Sequence, residues 1–180
     1  MIHPERVSGG YSPSDITGGD HVLYWMQGAV RSRDNHALEY AIEAANTLQK
    51  PLLAVFVLTR FPEANLRHYA FLTDGLADVS SRLRERGIRM QIWSGDPAAV
   101  VPRLAEDACM LVTDEGYLDI QQRWREGVWE AVSCPKITVE TNTVVPVRTA
   151  SPKAEWSAGT FRPKITRQVS QFLMPLKART

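Results

Sequence analysis

Cysteine is scarce in this 180-residue chain: Cys109 and Cys134 stand far apart and in no paired motif. That excludes a disulfide framework and predicts a reducing, cytoplasmic setting. No run approaches 18 consecutive apolar residues, so no membrane-spanning helix is predicted. The first twenty residues hold Gly9-Gly10, Pro13 and Gly18-Gly19 but no apolar stretch. They read as a flexible lead over 1–20 and not as a signal peptide. Glycine-rich phosphate loops are missing too. Neither G-x-G-x-x-G nor G-x-x-x-x-G-K-[ST] occurs, so the chain is not built to cradle a pyrophosphate or a triphosphate. His3, His21, His36 and His68 are scattered without ligand spacing, which leaves no metal motif. No G-x-S-x-G nucleophile elbow is present.

A charge excess is also absent, since the formal net charge is +1. The distribution is uneven, however. From Ser151 onward six cationic residues face one anionic residue, a net of +5 that leaves −4 for the first 150 residues. Such a basic end suits contact with DNA or an acidic neighbour, and equally suits a solvated helix face.

What is present is alternation. Short apolar runs predict strands near 21–27, 52–59, 88–94, 109–113 and 136–141. The run over 52–59 is almost continuously apolar, as befits a central parallel strand covered on both faces. Helical periodicity fills the gaps. Leu38, Ala41, Ile42, Ala45 and Leu48 share one face, as do Leu72, Leu76, Val79 and Leu83. Val100, Val101 and Leu104 mark a short helix near 97–108, and Tyr117, Ile120, Trp124, Val128 and Ala131 mark a fourth. Asp34 or Asn35 can cap the first helix, Gly87 should stop the second, and Pro97 suits the first turn of the third. The expected fold is therefore a doubly wound α/β domain over 21–148. It has a five-stranded parallel sheet of order 3-2-1-4-5 and helices on both faces. After about residue 142 the pattern changes. An extended stretch with Val144, Val145, Pro146 and Val147 leads through a polar loop to an amphipathic piece over 162–176. There Ile165, Val169, Phe172 and Leu173 share a face.

In such a sheet ligands bind beyond the carboxyl ends of the strands where the strand order reverses. The reversal lies between the first and fourth strands, at Met26–Arg31 and Thr113–Tyr117. Asp114 and Glu115 also precede a helix amino terminus, where carboxylates are favourable without any ligand. With no phosphate loop, a neutral, aromatic or polycyclic ligand, or no ligand at all, fits this end of the sheet better than a nucleotide. Trp124 falls on the buried face of its helix, and Trp129 falls off it, at an edge or exposed. Trp25 points to one face of the sheet, as core or as a chromophore contact.

Three long strings then carry a resemblance: YWMQGAVRSRDNHALEYAIEAAN (24–46), FPEANLRHYAFLTDGL (61–76) and TASPKAEWSAGTFRPKI (149–165). In order and spacing they resemble class II deoxyribodipyrimidine photolyases, from about residue 20 to the end. The resemblance implies the amino-terminal photolyase domain, a light-harvesting α/β unit that holds an 8-hydroxy-deazaflavin or a folate. That pigment feeds reduced FAD, which donates an electron to split a cyclobutane pyrimidine dimer in UV-damaged DNA. FAD and the flipped-out dimer would sit in an all-helical carboxy-terminal domain, a partner that these 180 residues do not include. The stretch 149–180 then resembles the connector into that domain, and the 180 residues alone are not expected to be an active enzyme. The pigment site carried over from the resemblance comprises Gln27, Arg31, Asp114 and Glu115. Arg31 would pair with an anionic ring oxygen, and the carboxylates would accept ring N–H groups. Two other functions remain open on the residues: a stand-alone small-molecule or nucleotide-binding module, and a docking subunit for a separate helical chain.

Overall fold

The computed structural model describes residues 2–16 and 18–179. One sheet holds β1 (Val7–Ser8), β2 (His21–Met26), β3 (Leu52–Leu58), β4 (Arg89–Ser94), β5 (Ala108–Asp114) and β6 (Lys136–Val139). Their order is β1-β6-β5-β2-β3-β4. Strands β2 to β6 pair in parallel, while β1 runs antiparallel to β6. The five parallel strands taken alone follow the order 3-2-1-4-5.

The expected count of five strands is corrected by β1. Two residues are too short for any alternation signal, so periodicity could not reveal this strand. It also means that part of the expected flexible lead is tied down. Arg6, buried at 2% exposure, drives its guanidinium into a row of carbonyls: Nη1 donates to Glu140 O (3.1 Å) and Thr143 O (2.9 Å), and Nη2 to Val144 O (2.5 Å). A buried guanidinium must have its donors satisfied, and here main-chain oxygens do it.

The helices are α1 (His36–Leu48), α2 (Leu66–Glu85), α3 (Pro97–Leu104), α4 (Asp119–Ala131), α5 (Val147–Ala150) and α6 (Ala158–Phe172). Of the two candidate caps for α1, Asn35 is the one used. Its side-chain oxygen accepts the Leu38 N–H at 3.0 Å, and Asp34 adopts φ 48 just before it. Asp96 caps α3 by accepting from Ala98 N–H at 3.0 Å, with Pro97 in the first turn. α2 stops at Glu85, and Gly87 takes φ 74 where a side chain would be strained. α3 is shorter than expected, ending at Leu104 because β5 already begins at Ala108.

Helices cover both faces, as the alternation implies. Val22, Tyr24 and Met26 point from β2 into one core with α1 and α2, including Leu38, Ile42, Leu76 and Leu83. Leu23 and Trp25 point the other way, against Val100 and Val101 of α3 and Val128 of α4. The period-two switch of β2 thus supplies both cores. Cys109 is buried in the first core and Cys134 packs at the edge of the second, both as free thiols. Trp129, expected at an edge or exposed, packs against the second core.

The last segment is not extended throughout, since Val147 opens the short α5. α6 begins at Ala158, capped by Ser157, earlier than the expected 162. Ile165, Val169 and Phe172 share a small core with Val145 and Ala150, but Leu173 lies outside it at 66% exposure. Beyond α6 the chain returns to α1. The Arg179 N–H donates to Glu39 Oε2 at 2.7 Å, and Arg86 Nη2 donates to Glu39 Oε1 at 2.7 Å and to Arg179 O at 2.5 Å.

Candidate functional site

The carboxyl ends of β2 and β3 open into a cavity of about 500 Å³. Trp25, Met26, Gln27 and Val30 come from β2 and the loop after it, and residues 56–59 and 61–64 from β3 and its loop. His68, Tyr69 and Leu72 of α2, Pro97 of α3, and Gln121 and Trp124 of α4 complete the wall. The volume lies in the usual range for small-molecule sites. Trp25 lines the cavity although it is only 1% exposed. Phe61 meets Trp124 edge-on, with ring centroids 6.4 Å apart. Tyr69 holds the loop in place: its hydroxyl accepts the Phe61 N–H at 2.9 Å and lies 3.4 Å from Thr59 O as donor. Asn65 starts α2 with a reciprocal cap, as its N–H donates to His68 Nδ1 at 3.1 Å.

The lining is chemically distinctive. Glu63 and His68 supply its acid and imidazole, and among the described residues no lysine or arginine lines it. A phosphate or polyanionic tail would find no cation here. Flat aromatic walls with a few polar rims suit a fused ring.

The four residues expected to bind a pigment are not gathered in this cavity. Gln27 does line it, and its side-chain Nε2 donates to Gln121 O at 3.2 Å. Asp114 is fully buried and serves the backbone instead. Its Oδ1 accepts the Gln27 N–H (2.8 Å), and its Oδ2 accepts the N–H groups of Gly28 (2.6 Å) and Ala29 (2.8 Å). Burial pushes its pKa up while these amides pull it back down. Glu115 pairs with Arg125 at 2.6 Å and Arg148 at 3.4 Å, and burial raises its pKa against those two cations. Arg31 donates to Asn142 Oδ1 (2.7 Å), Thr141 O (2.9 Å) and Asp34 O (3.1 Å). It sews the loop after β2 to the segment after β6. Asp114 thus fastens the loop after β2 to the end of β5, and the cavity lies at the ends of β2 and β3 with Gln121 and Trp124 of α4 on its wall.

Phe61, His68, Tyr69, Leu72, Gln121 and Trp124 were not singled out as ligand contacts by pattern alone. The string over 61–76 did contain the first four, and its resemblance was the available signal.

A doubly wound α/β domain with an aromatic cavity at its strand ends defines the class of this protein. A family model for DNA photolyase matches residues 22–180. The chain belongs to that family. It is 52% identical over 181 residues to the deoxyribodipyrimidine photo-lyase of Methanothermobacter thermautotrophicus, covering 100% of this chain and 41% of that one. The Arabidopsis thaliana deoxyribodipyrimidine photo-lyase is 31% identical over 182 residues, covering 96% of this chain and 36% of its own. This chain thus spans less than half the length of these relatives. Among solved structures, a Synechocystis cryptochrome superposes with TM-score 0.71 at 15% identity, over 83% of this chain and 34% of that one. The photolyase of Sulfolobus tokodaii gives 0.69 at 17% identity, over 88% and 36%. At those identities the two structures speak for the fold.

Proposed function

We propose that this chain is the antenna domain of a light-driven photolyase that repairs cyclobutane pyrimidine dimers, of the class II type that its three long strings resemble. The aromatic cavity between the ends of β2 and β3 takes the pigment, an 8-hydroxy-deazaflavin or a folate. One observation carries this reading: a ring-sized aromatic cavity at the strand ends of a photolyase-family fold. When bound, the pigment absorbs near-ultraviolet or blue light and passes the excitation to a flavin. The S. tokodaii photolyase is described as holding two FAD molecules, with the implication of a novel light-harvesting cofactor. That supports a second chromophore on this architecture.

FAD and DNA belong, in this reading, to a helical domain within the relatives' additional length. An exposed apolar surface would seat it. Tyr117, Leu118, Val147, Trp156 and Phe161 are exposed apolar residues, and Val147, Trp156 and Phe161 line one shallow depression. Glu140 binds two parts of this surface together, accepting from the Tyr117 hydroxyl (2.8 Å) and the Val147 N–H (2.6 Å). Leu118 immediately precedes α4, whose first turn brings Gln121 to the cavity. A domain seated there would lie next to the pigment. The four residues Gln27, Arg31, Asp114 and Glu115 divide under this reading. Gln27 touches the pigment, and the other three hold the loops that shape its site. A cytoplasmic setting goes with the same reading.

The test is titration of the purified 180-residue protein with 8-hydroxy-deazaflavin, a reduced folate, FAD and ATP, followed by fluorescence and visible absorbance. Saturable binding of one of the first two, with no dimer repair by this chain alone, is expected. Tight ATP binding with no pigment binding would instead establish a stand-alone nucleotide module.

A further inference from the structure

The cap of α2 dictates which nitrogen His68 has left to offer the cavity. Asn65 donates its main-chain N–H to His68 Nδ1 at 3.1 Å, while its side-chain oxygen accepts the Arg67 N–H at 3.1 Å. A main-chain N–H can only donate, so Nδ1 must accept. In the neutral ring the single proton is then on Nε2. His68 lines the cavity, and it brings there an N–H donor whose tautomer is set by the start of a helix. Among the described residues nothing bonds to that Nε2. Two neighbouring donors of the wall are already committed. Gln27 Nε2 donates to Gln121 O at 3.2 Å, and the Tyr69 hydroxyl lies 3.4 Å from Thr59 O. Glu63, when ionised, can only accept.

We infer that His68 selects the pigment by its oxygen: Nε2–H donates to a phenolic oxygen carried on the fused ring, and the cavity therefore prefers a hydroxylated ring to the same ring without that oxygen. The inference rests on the pigment-binding role proposed for the cavity. It also fills a gap left by Arg31, which was expected to meet an anionic ring oxygen and instead holds Asn142 and Thr141. A phenolate oxygen makes the stronger, charge-assisted bond to the imidazole. A ring lacking it would cover the N–H and leave it unpaired, at the cost of its desolvation. His68 is exposed in the open cavity, so water competes for the donor and a preference of about tenfold is expected.

The cap supplies variants that separate a donor from a merely structural residue. Glutamine and glutamate both complete a reciprocal cap at this position of a helix. Glutamine keeps an N–H donor beyond the cap, and an ionised glutamate does not. The 180-residue protein is titrated by fluorescence with 8-hydroxy-5-deazariboflavin and with 5-deazariboflavin, which lacks the phenolic oxygen. Wild type and His68→Gln should both prefer the hydroxylated ring about tenfold. His68→Glu should lose the preference while melting within about two degrees of the wild type, because the cap survives. Nitrogen NMR of the neutral His68 ring should find the proton on Nε2 and none on Nδ1. Equal affinity of the wild type for the two rings overturns the inference and leaves the pigment site standing. A preference kept in His68→Glu, a preference lost in both variants, or a proton on Nδ1 overturns it equally. A wild-type protein that binds neither ring overturns the pigment reading itself, and this inference with it.

Discussion

The carboxylate of Asp114 sits 2.6 Å from the amide nitrogen of Gly28, joining the end of β5 to the loop that leaves β2. The same side chain takes the neighbouring amides of Gln27 and Ala29. It therefore sets the shape of the loop that carries Gln27 and Val30 into the cavity wall.

Asp114→Ala should leave these buried donors unsatisfied and cost about 3 kcal/mol of stability. For a domain of this size that lowers the melting temperature by roughly 6–12 °C. Calorimetry checks it. A drop under two degrees would mean that the amides find other partners.

The pigment wall and the loop stitches should separate in a binding assay. Trp124→Ala removes a face of the cavity and should weaken pigment binding about tenfold or more. Arg31→Ala acts on Asn142 and Thr141 and should change affinity by no more than about threefold, with its main effect on melting temperature. Fluorescence titration of both variants measures this. The reverse ranking would return Arg31 to the pigment.

The pair Glu39–Arg86 is buried and holds the main chain at Arg179. Glu39→Gln should strand the Arg86 charge and cost about 3–5 kcal/mol. It should also release the tail before it unfolds the domain. Hydrogen exchange over residues 173–179 should quicken in the variant, and trypsin should cut after Lys177 sooner.

His36 should produce a pH-dependent loss of stability. Burial first, then the nearby Arg6 and Arg31 cations, push its pKa from 6.5 to about 4 against a smaller opposing effect of Asp34. Its Nδ1 is buried with no hydrogen-bond partner among the described residues. Folded protein keeps the ring neutral while the unfolded chain takes up a proton. Its contribution is therefore fully present above pH 6.5 and is lost as pH falls toward about 4. Discounted for partial exposure, the loss is about 1–2 kcal/mol. Urea melts of the wild type and of His36→Asn across that window should converge at low pH. Parallel curves would locate the slope elsewhere.

The architecture was legible in the sequence because each strand and helix announces itself over several residues. The apolar run 52–59 became β3, and the spacing of Leu72, Leu76, Val79 and Leu83 became the inner face of α2. Short or solitary features were not legible. β1 is too brief for periodicity, and Arg6 is a charged residue whose burial depends on carbonyls more than 130 positions away. Tyr117 was expected on the inner face of a helix. It precedes α4 and turns to Glu140 instead.

The site shows the same division. Position at the strand ends pointed to Gln27, which lines the cavity, and equally to residues that fasten loops. Asp114, Glu115 and Arg31 look alike as polar residues after strands. Their partners, three amides, two arginines and a carbonyl with an amide side chain, exist only once β2, β5 and β6 are side by side. What the sequence by itself determined was the alternation of strand and helix, hence the strand order and the family to which the chain belongs. Only the tertiary structure decided which of these residues fasten loops and which line the cavity. That choice rests on long-range hydrogen bonds that tie the loop after β2 to a carboxylate at the end of β5, and no local pattern encodes it.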